Sequence, residues 1–157
     1  MKVLFLDIDG VLNSKRYDET RTLGNSFNID ESRLPLLKQI IDRTGACIVL
    51  SSTWRHKLYE NCKPKNGEGT RLLFTFEKYS LNISSITPSD PELSTRAQEI
   101  EAWLLEHKDA VEAFAIIDDA FGGWGELSEH LVQTNYRIGR GLEQRHVEAA
   151  VEILNRQ

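Results

Sequence analysis

The apolar positions of the chain fall into short unbroken runs separated by longer periodic stretches. Residues 2–6 read K-V-L-F-L, residues 46–50 read A-C-I-V-L, and residues 113–117 read A-F-A-I-I. Runs of this length, with β-branched and aromatic members, predict fully buried strands. Strands buried on both faces belong to parallel sheets, which lack polar alternation. Residues 131–134 predict one further short strand. Between the runs the period lengthens. Leu34, Leu37 and Ile41, flanked by Leu36 and Ile40, form the stripe of a helix from about residue 30 to 44. Asp30 or Ser32 is its candidate cap, Pro35 is tolerable in its first turn, and Gly45 ends it. A strand, a helix and a strand in this order form a right-handed βαβ unit.

Thr95-x-x-Gln98 reads as a capping box, followed by a helix with Ala97, Ile100, Trp103 and Leu104 on one face. A last helix spans about residues 143–154, with Val147, Ala150, Val151 and Leu154 inward. Two stretches lack such order. Residues 14–27 are polar and charged and read as a loop over the sheet edge. In residues 56–94 the pattern weakens. Residues 63–70 read as a loop, residues 72–76 as a short apolar piece of undetermined type, and residues 84–91, rich in Ser and Pro, as another loop. The stretch 56–94 is therefore expected to be an insert or minimal lid within a single domain spanning residues 1–157.

That length suffices for one buried core. With 24 acidic against 19 basic residues the chain is mildly acidic, which argues against binding nucleic acid by bulk charge but not against a local basic groove. The two cysteines, Cys47 and Cys62, give neither a disulfide framework nor zinc spacing, and Cys47 lies within an apolar run. No segment reads as a signal peptide or a membrane span, so a cytoplasmic enzyme or binding domain is expected.

The candidate chemistry sits where the buried runs stop. The first ends in Asp7 and Asp9, followed by Gly10, which permits a tight turn. A calcium loop of the EF-hand type is excluded, because its fifth and sixth positions would be Val11 and Leu12. The second run ends in Ser51, Ser52, Thr53, Trp54 and Arg55, the third in Asp118 and Asp119. In a parallel sheet these ends lie on one edge, where ligands bind. Four aspartates converging there would repel one another without a cation, and all-oxygen ligands favour Mg²⁺. Such a site suits phosphoryl transfer. One carboxylate can serve as nucleophile, and a second can protonate a leaving oxygen and later deprotonate water.

The motifs D-I-D-G-V-L-N, then S-S-T-W-R after a buried strand, then a basic residue opening a helix, then I-I-D-D, resemble those of the haloacid dehalogenase-like (HAD-like) hydrolase superfamily. The likeness covers the whole chain in the correct order. Its versions of the second and last motifs look closest to the small phosphatase domains of bacterial RNA-repair proteins. The resemblance implies a three-layer, Rossmann-like α/β domain with a central, mainly parallel sheet and no large cap domain. It implies Asp7 as the nucleophile that forms an aspartyl-phosphate. Asp9 would be the general acid/base, with its backbone carbonyl on Mg²⁺; the family's dehalogenases lack an acid there. Ser51 would hydrogen-bond phosphoryl oxygens, with Ser52 as the alternative, and Asp118 and Asp119 would hold the metal. The family usually has Lys where Arg96 stands, and Arg is not equivalent to it; Lys78 is the other candidate cation.

Arg55 is a candidate contact to a substrate phosphate, and Trp54 and Trp124 are candidates for base stacking or for the core. His56 is near the site in sequence, whereas His107, His130 and His146 read as helix-surface residues. Within residues 56–94, Lys57, Lys63, Lys65, Arg71 and Lys78 interleave with Tyr59, Phe74, Phe76 and Tyr79. That mixture suits a nucleotide or nucleic-acid end as the phosphorylated substrate. A small-metabolite or protein phosphatase, a phosphoacceptor of the response-regulator receiver type, and a binding module that has lost catalysis are the competing expectations. The receiver has the reverse motif order, with its adjacent acidic pair near the N-terminus.

Overall fold

The computed structural model describes residues 1–21 and 27–156. Among these, five strands form one sheet: β1 (Lys2–Leu6), β2 (Cys47–Leu50), β3 (Ile83–Ile86), β4 (Ala113–Asp118) and β5 (Leu131–Gln133). Their order is β3-β2-β1-β4-β5, and every pairing is parallel. This is the Rossmann-type order; receivers and flavodoxins have 2-1-3-4-5. The central β1 has neighbours on both sides, which is why its apolar run is unbroken.

The pleat divides β1 between two cores. Leu4 and Leu6 enter a cluster with Leu34, Leu37, Leu72, Phe76, Val147 and Leu154. Val3 and Phe5 enter another with Ala97, Ile100, Trp103 and Trp124. Three helices thus cover one face: α2 (Leu34–Thr44), α3 (Gly67–Glu77) and α5 (Gln144–Asn155). On the other face lies α4 (Arg96–Glu106), and a short helix, α1 (Lys15–Thr20), follows the first strand. The chain is a small three-layer α/β domain. No helix among the described residues is long and apolar enough to cross a membrane.

The expected capping box opens α4: Thr95 Oγ1 accepts from the Gln98 amide at 3.2 Å, and Gln98 Oε1 accepts from the Thr95 amide at 3.2 Å. Asp30 caps a single 3-10 turn, Glu31–Arg33, that feeds into α2, and Gly45 ends α2 as expected. Three expectations need correcting. Within residues 14–27 the chain forms α1, capped by Ser14; residues 22–26 of that stretch lie outside the described residues. The undetermined piece at residues 72–76 belongs to α3, which begins inside the expected loop. Asn66 Oδ1 caps it, accepting from the Gly69 amide at 2.9 Å. Two glycines in the first turn mask the helix signal. Gly69 is there because a Cβ would overlap the Lys57 carbonyl. The Ser-rich segment after it holds β3, paired to β2 from Ile83 to Ile86. As an edge strand with one solvent side, it tolerates Ser84 and Ser85 in place of apolar residues. The latter part of the stretch expected to be an insert is thus sheet.

Candidate active site

At four of the five strands the ladder runs one residue past the strand's end. The Asp7 amide donates to Ile117 O at 3.0 Å, Ser51 to Leu6 O at 3.0 Å, Thr87 to Leu50 O at 3.1 Å, and Thr134 to Asp118 O at 3.0 Å. The sheet itself therefore sets Asp7, Ser51, Thr87 and Thr134 side by side at the carboxyl edge. Ser51 and Thr87 are buried, and their hydroxyl oxygens have no hydrogen-bond partner. Buried polar atoms are nearly always paired, so such orphans mark a place prepared for a ligand.

Beyond Asp7 the chain makes a tight turn, with Leu12 donating to Ile8 O at 2.8 Å. Gly10 has φ +80°, a left-handed conformation that suits glycine. A Cβ there would also overlap the Asp119 carboxylate, so the Asp119 side chain packs directly on the Gly10 backbone. Asn13, fully buried, closes the turn. Its Oδ1 accepts from the Gly10 amide at 2.8 Å, and its Nδ2 donates to Asp9 Oδ1 at 2.8 Å. The other Asp9 oxygen, Oδ2, accepts from Trp54 Nε1 at 3.1 Å. The Asp9 side chain is thereby clamped from two elements.

Carboxylate oxygens of Asp7, Asp118 and Asp119 all lie within 4.8 Å of one another. Arg96, at the start of α4, faces them: Nη1 is 2.7 Å from Asp118 Oδ2 and 3.1 Å from Asp7 Oδ1. Burial, and then the neighbouring Asp118, pushes Asp7 up to about 6; Arg96 pulls against that shift. Burial likewise raises Asp118 and Asp119, and Asp7 adds to the rise in Asp119. Burial works against the charge on Arg96, but the Asp7 and Asp118 carboxylates outweigh it and raise its pKa. Three carboxylates against one guanidinium leave an uncompensated negative charge. An all-oxygen set of this kind fits a hard divalent cation such as Mg²⁺.

The structure thus brings together Asp7, Asp9, Gly10, Ser51, Ser52, Arg96, Asp118 and Asp119. Ser52 Oγ accepts from the Trp54 amide at 3.2 Å, and its hydroxyl also helps hold Asp7 ionised. Arg55 is engaged by other partners. It is buried, with Nη2 2.6 Å from Glu99 Oε1 and Nη1 donating to the carbonyls of Ser51 and Ser52. Lys78 pairs with Glu31 on the surface, which leaves Arg96 as the cation at the cluster. Trp124 is a core residue, and its Nε1 donates to Ala120 O at 3.1 Å.

The expectations for three histidines change. His146 is buried, and its Nδ1 accepts from the Glu143 amide at 2.9 Å. His107 and His130 are not free surface groups: they stack on Trp103 and Phe114 respectively. Missed in the sequence were Asn13 and Trp54 as supports of Asp9. Both lie inside the quoted motifs, but their roles depend on contacts that spacing does not show.

A cleft of about 570 Å³ opens beside the carboxylates, bordered by Asp9, Asp119, Asn28, Phe121, Tyr136 and Ile138. The model of one protein family, described as the HAD domain in Swiss Army Knife RNA repair proteins, matches residues 3–147. No curated protein and no solved structure matches the chain.

Proposed function

Because the chain belongs to the family of HAD domains in Swiss Army Knife RNA repair proteins, and is therefore a hydrolase of the HAD type, we propose that it is a Mg²⁺-dependent phosphatase acting on nucleotide or polynucleotide-end phosphates. The observation that carries this reading is the convergence of Asp7, Asp118 and Asp119 around Arg96.

In this mechanism Asp7 attacks the phosphorus. A new carboxylate oxygen–phosphorus bond forms as the bond to the leaving oxygen breaks. Asp9, held by Asn13 and Trp54, gives its proton to that leaving oxygen. Asp9 then takes a proton from the water that attacks the aspartyl-phosphate, which releases inorganic phosphate and restores Asp7. Arg96 and the hydroxyls of Ser51 and Ser52 hold the phosphoryl oxygens, meeting charge in a water-poor pocket where such contacts are strong. Asp7, Asp118 and Asp119, with the backbone carbonyl of Asp9, would hold Mg²⁺. When bound, the metal neutralises charge on the transferring group.

The test is phosphate release by the purified chain with Mg²⁺ from generic esters, nucleotides and end-phosphorylated oligonucleotides. Turnover that Asp7→Asn and Asp9→Asn each abolish is expected. Absence of turnover across the panel rejects the phosphatase, and full activity of Asp7→Asn rejects the mechanism.

A further inference from the structure

We propose that the cleft beside Asp9 and Asp119 is the leaving-group subsite, and that it holds the terminal base of a polynucleotide end. This rests on the phosphatase reading above and assigns residues that confer its specificity. The cleft is contiguous with the carboxylates, and its volume of about 570 Å³ is in the range of small-ligand sites. A single exposed apolar side chain needs no explanation. Here Phe121 and Ile138, 78% and 73% exposed, both border one cleft, and Tyr136 also lines it. Phe121 follows the Asp118–Asp119 pair, and Ile138 follows β5, so both are carried by loops of the catalytic edge.

The polar lining is specific as well. Tyr136 donates its hydroxyl to Asp18 Oδ2 at 2.5 Å, which fixes its ring. Asn135 Oδ1 accepts from the amides of Arg137 and Ile138 at 2.8 and 3.0 Å, which sets the turn that presents those two side chains. Asn28 Oδ1 is buried in the lining without a hydrogen-bond partner, an acceptor suited to a donor on a base edge. Arg137 is the cleft's one cation and has no ion pair among the described residues. It is placed to meet the phosphate that links the terminal nucleotide to the next.

The basic and aromatic residues of segment 54–78 are a weaker place for a base, because their rings are already partnered. Lys57 lies 5.0 Å from the Trp54 ring, Lys65 5.4 Å from Tyr59, and Lys78 6.0 Å from Phe74.

The experiment is calorimetric titration of the full Asp7→Asn chain, with Mg²⁺, against four ligands. These are uridine dinucleotides carrying a 3′- or a 5′-phosphate, uridine monophosphate, and glycerol phosphate. The better dinucleotide is expected to bind at least tenfold more tightly than glycerol phosphate. Phe121→Ser should remove about tenfold of that, the order of a lost base–aromatic stack, and Ile138→Ser, which loses apolar contact only, a smaller part; both should leave glycerol phosphate within twofold. Arg137→Ala should reduce the dinucleotide to the level of the mononucleotide. Both apolar positions are exposed, so unchanged melting curves are expected. Equal affinity for all four ligands, or equal losses for all in the serine variants, overturns the subsite. Tighter binding of the base-bearing ligands, with no phosphate release by the parent chain, overturns the phosphatase reading and leaves the base site standing; turnover by the parent chain without that preference does the reverse.

Discussion

The indole of Trp54 donates to the Asp9 carboxylate at 3.1 Å, although 45 positions separate them in sequence. Trp54 is therefore a positioning residue for the proposed acid/base. Trp54→Phe keeps most of the buried ring and deletes the donor. It is expected to lower kcat about 10- to 100-fold with little change in KM, the effect of about 1.5–3 kcal/mol for one lost hydrogen bond to a charged group. Steady-state kinetics separate this from general destabilisation, which would reduce the active fraction equally at all pH values.

Gly10 is the second point of leverage. Its φ of +80° would strain a residue bearing a Cβ, and that Cβ would overlap the Asp119 carboxylate. Gly10→Ala is expected to cost about 1–2 kcal/mol in the left-handed conformation alone. It should also weaken Mg²⁺ binding by displacing one of the three carboxylates. Thermal melts with and without Mg²⁺ will show a smaller metal-induced rise in Tm than in the parent chain.

The pH dependence follows from Asp7. Its folded-state pKa, about 6, stands above the ordinary carboxylate value of 3.8, chiefly through burial. Folding therefore favours the protonated form. The associated stability is fully present below 3.8 and is lost as pH rises through about 6. Metal-free protein is expected to lose about 1–3 kcal/mol between pH 4 and pH 8 through this group. Asp7→Asn should flatten that dependence and raise the metal-free Tm at pH 8. Addition of Mg²⁺ should stabilise the parent chain more at pH 8 than at pH 5. Melting curves at the two pH values decide the point.

Arg55 is expected to act on stability rather than on substrate. Its guanidinium is buried against Glu99, and breaking a buried pair by removing one partner costs about 3–5 kcal/mol. Glu99→Gln should be destabilising, and Arg55→Met/Glu99→Met should recover much of the loss. Denaturant unfolding of the single and double variants tests this. A large rise in KM for Arg55→Met/Glu99→Met at unchanged stability would instead assign Arg55 to the substrate.

The strands β1, β2 and β4 were legible because burial on both faces leaves an unbroken apolar run. The residues that follow them, Asp7, Ser51 and Asp118, were legible because a parallel sheet brings strand ends to one edge. The edge strand β3 was hidden, since a strand with one free side carries Ser84 and Ser85 without penalty. Helix α3 was hidden by Gly67 and Gly69, of which Gly69 answers to the Lys57 carbonyl rather than to helix propensity. The clamp on Asp9 and the pairing of Arg55 with Glu99 depend on tertiary contacts that no local pattern encodes. The stacking of cations on the rings of segment 54–78 was equally invisible, because interleaved charge and aromaticity read the same whether partnered or free.

The loop that carries Tyr136, Arg137 and Ile138 is pinned at both ends to the turn after β1. Thr134 Oγ1 donates to Gly10 O at 2.7 Å, and the Leu142 amide donates to Val11 O at 2.7 Å. Gly141 belongs to those anchors, because a Cβ there would overlap the Val11 carbonyl. Under the proposed assignment of the cleft, exchanging the side chains of Arg137 and Ile138 would change the leaving group accepted while the strand-edge carboxylates keep their places.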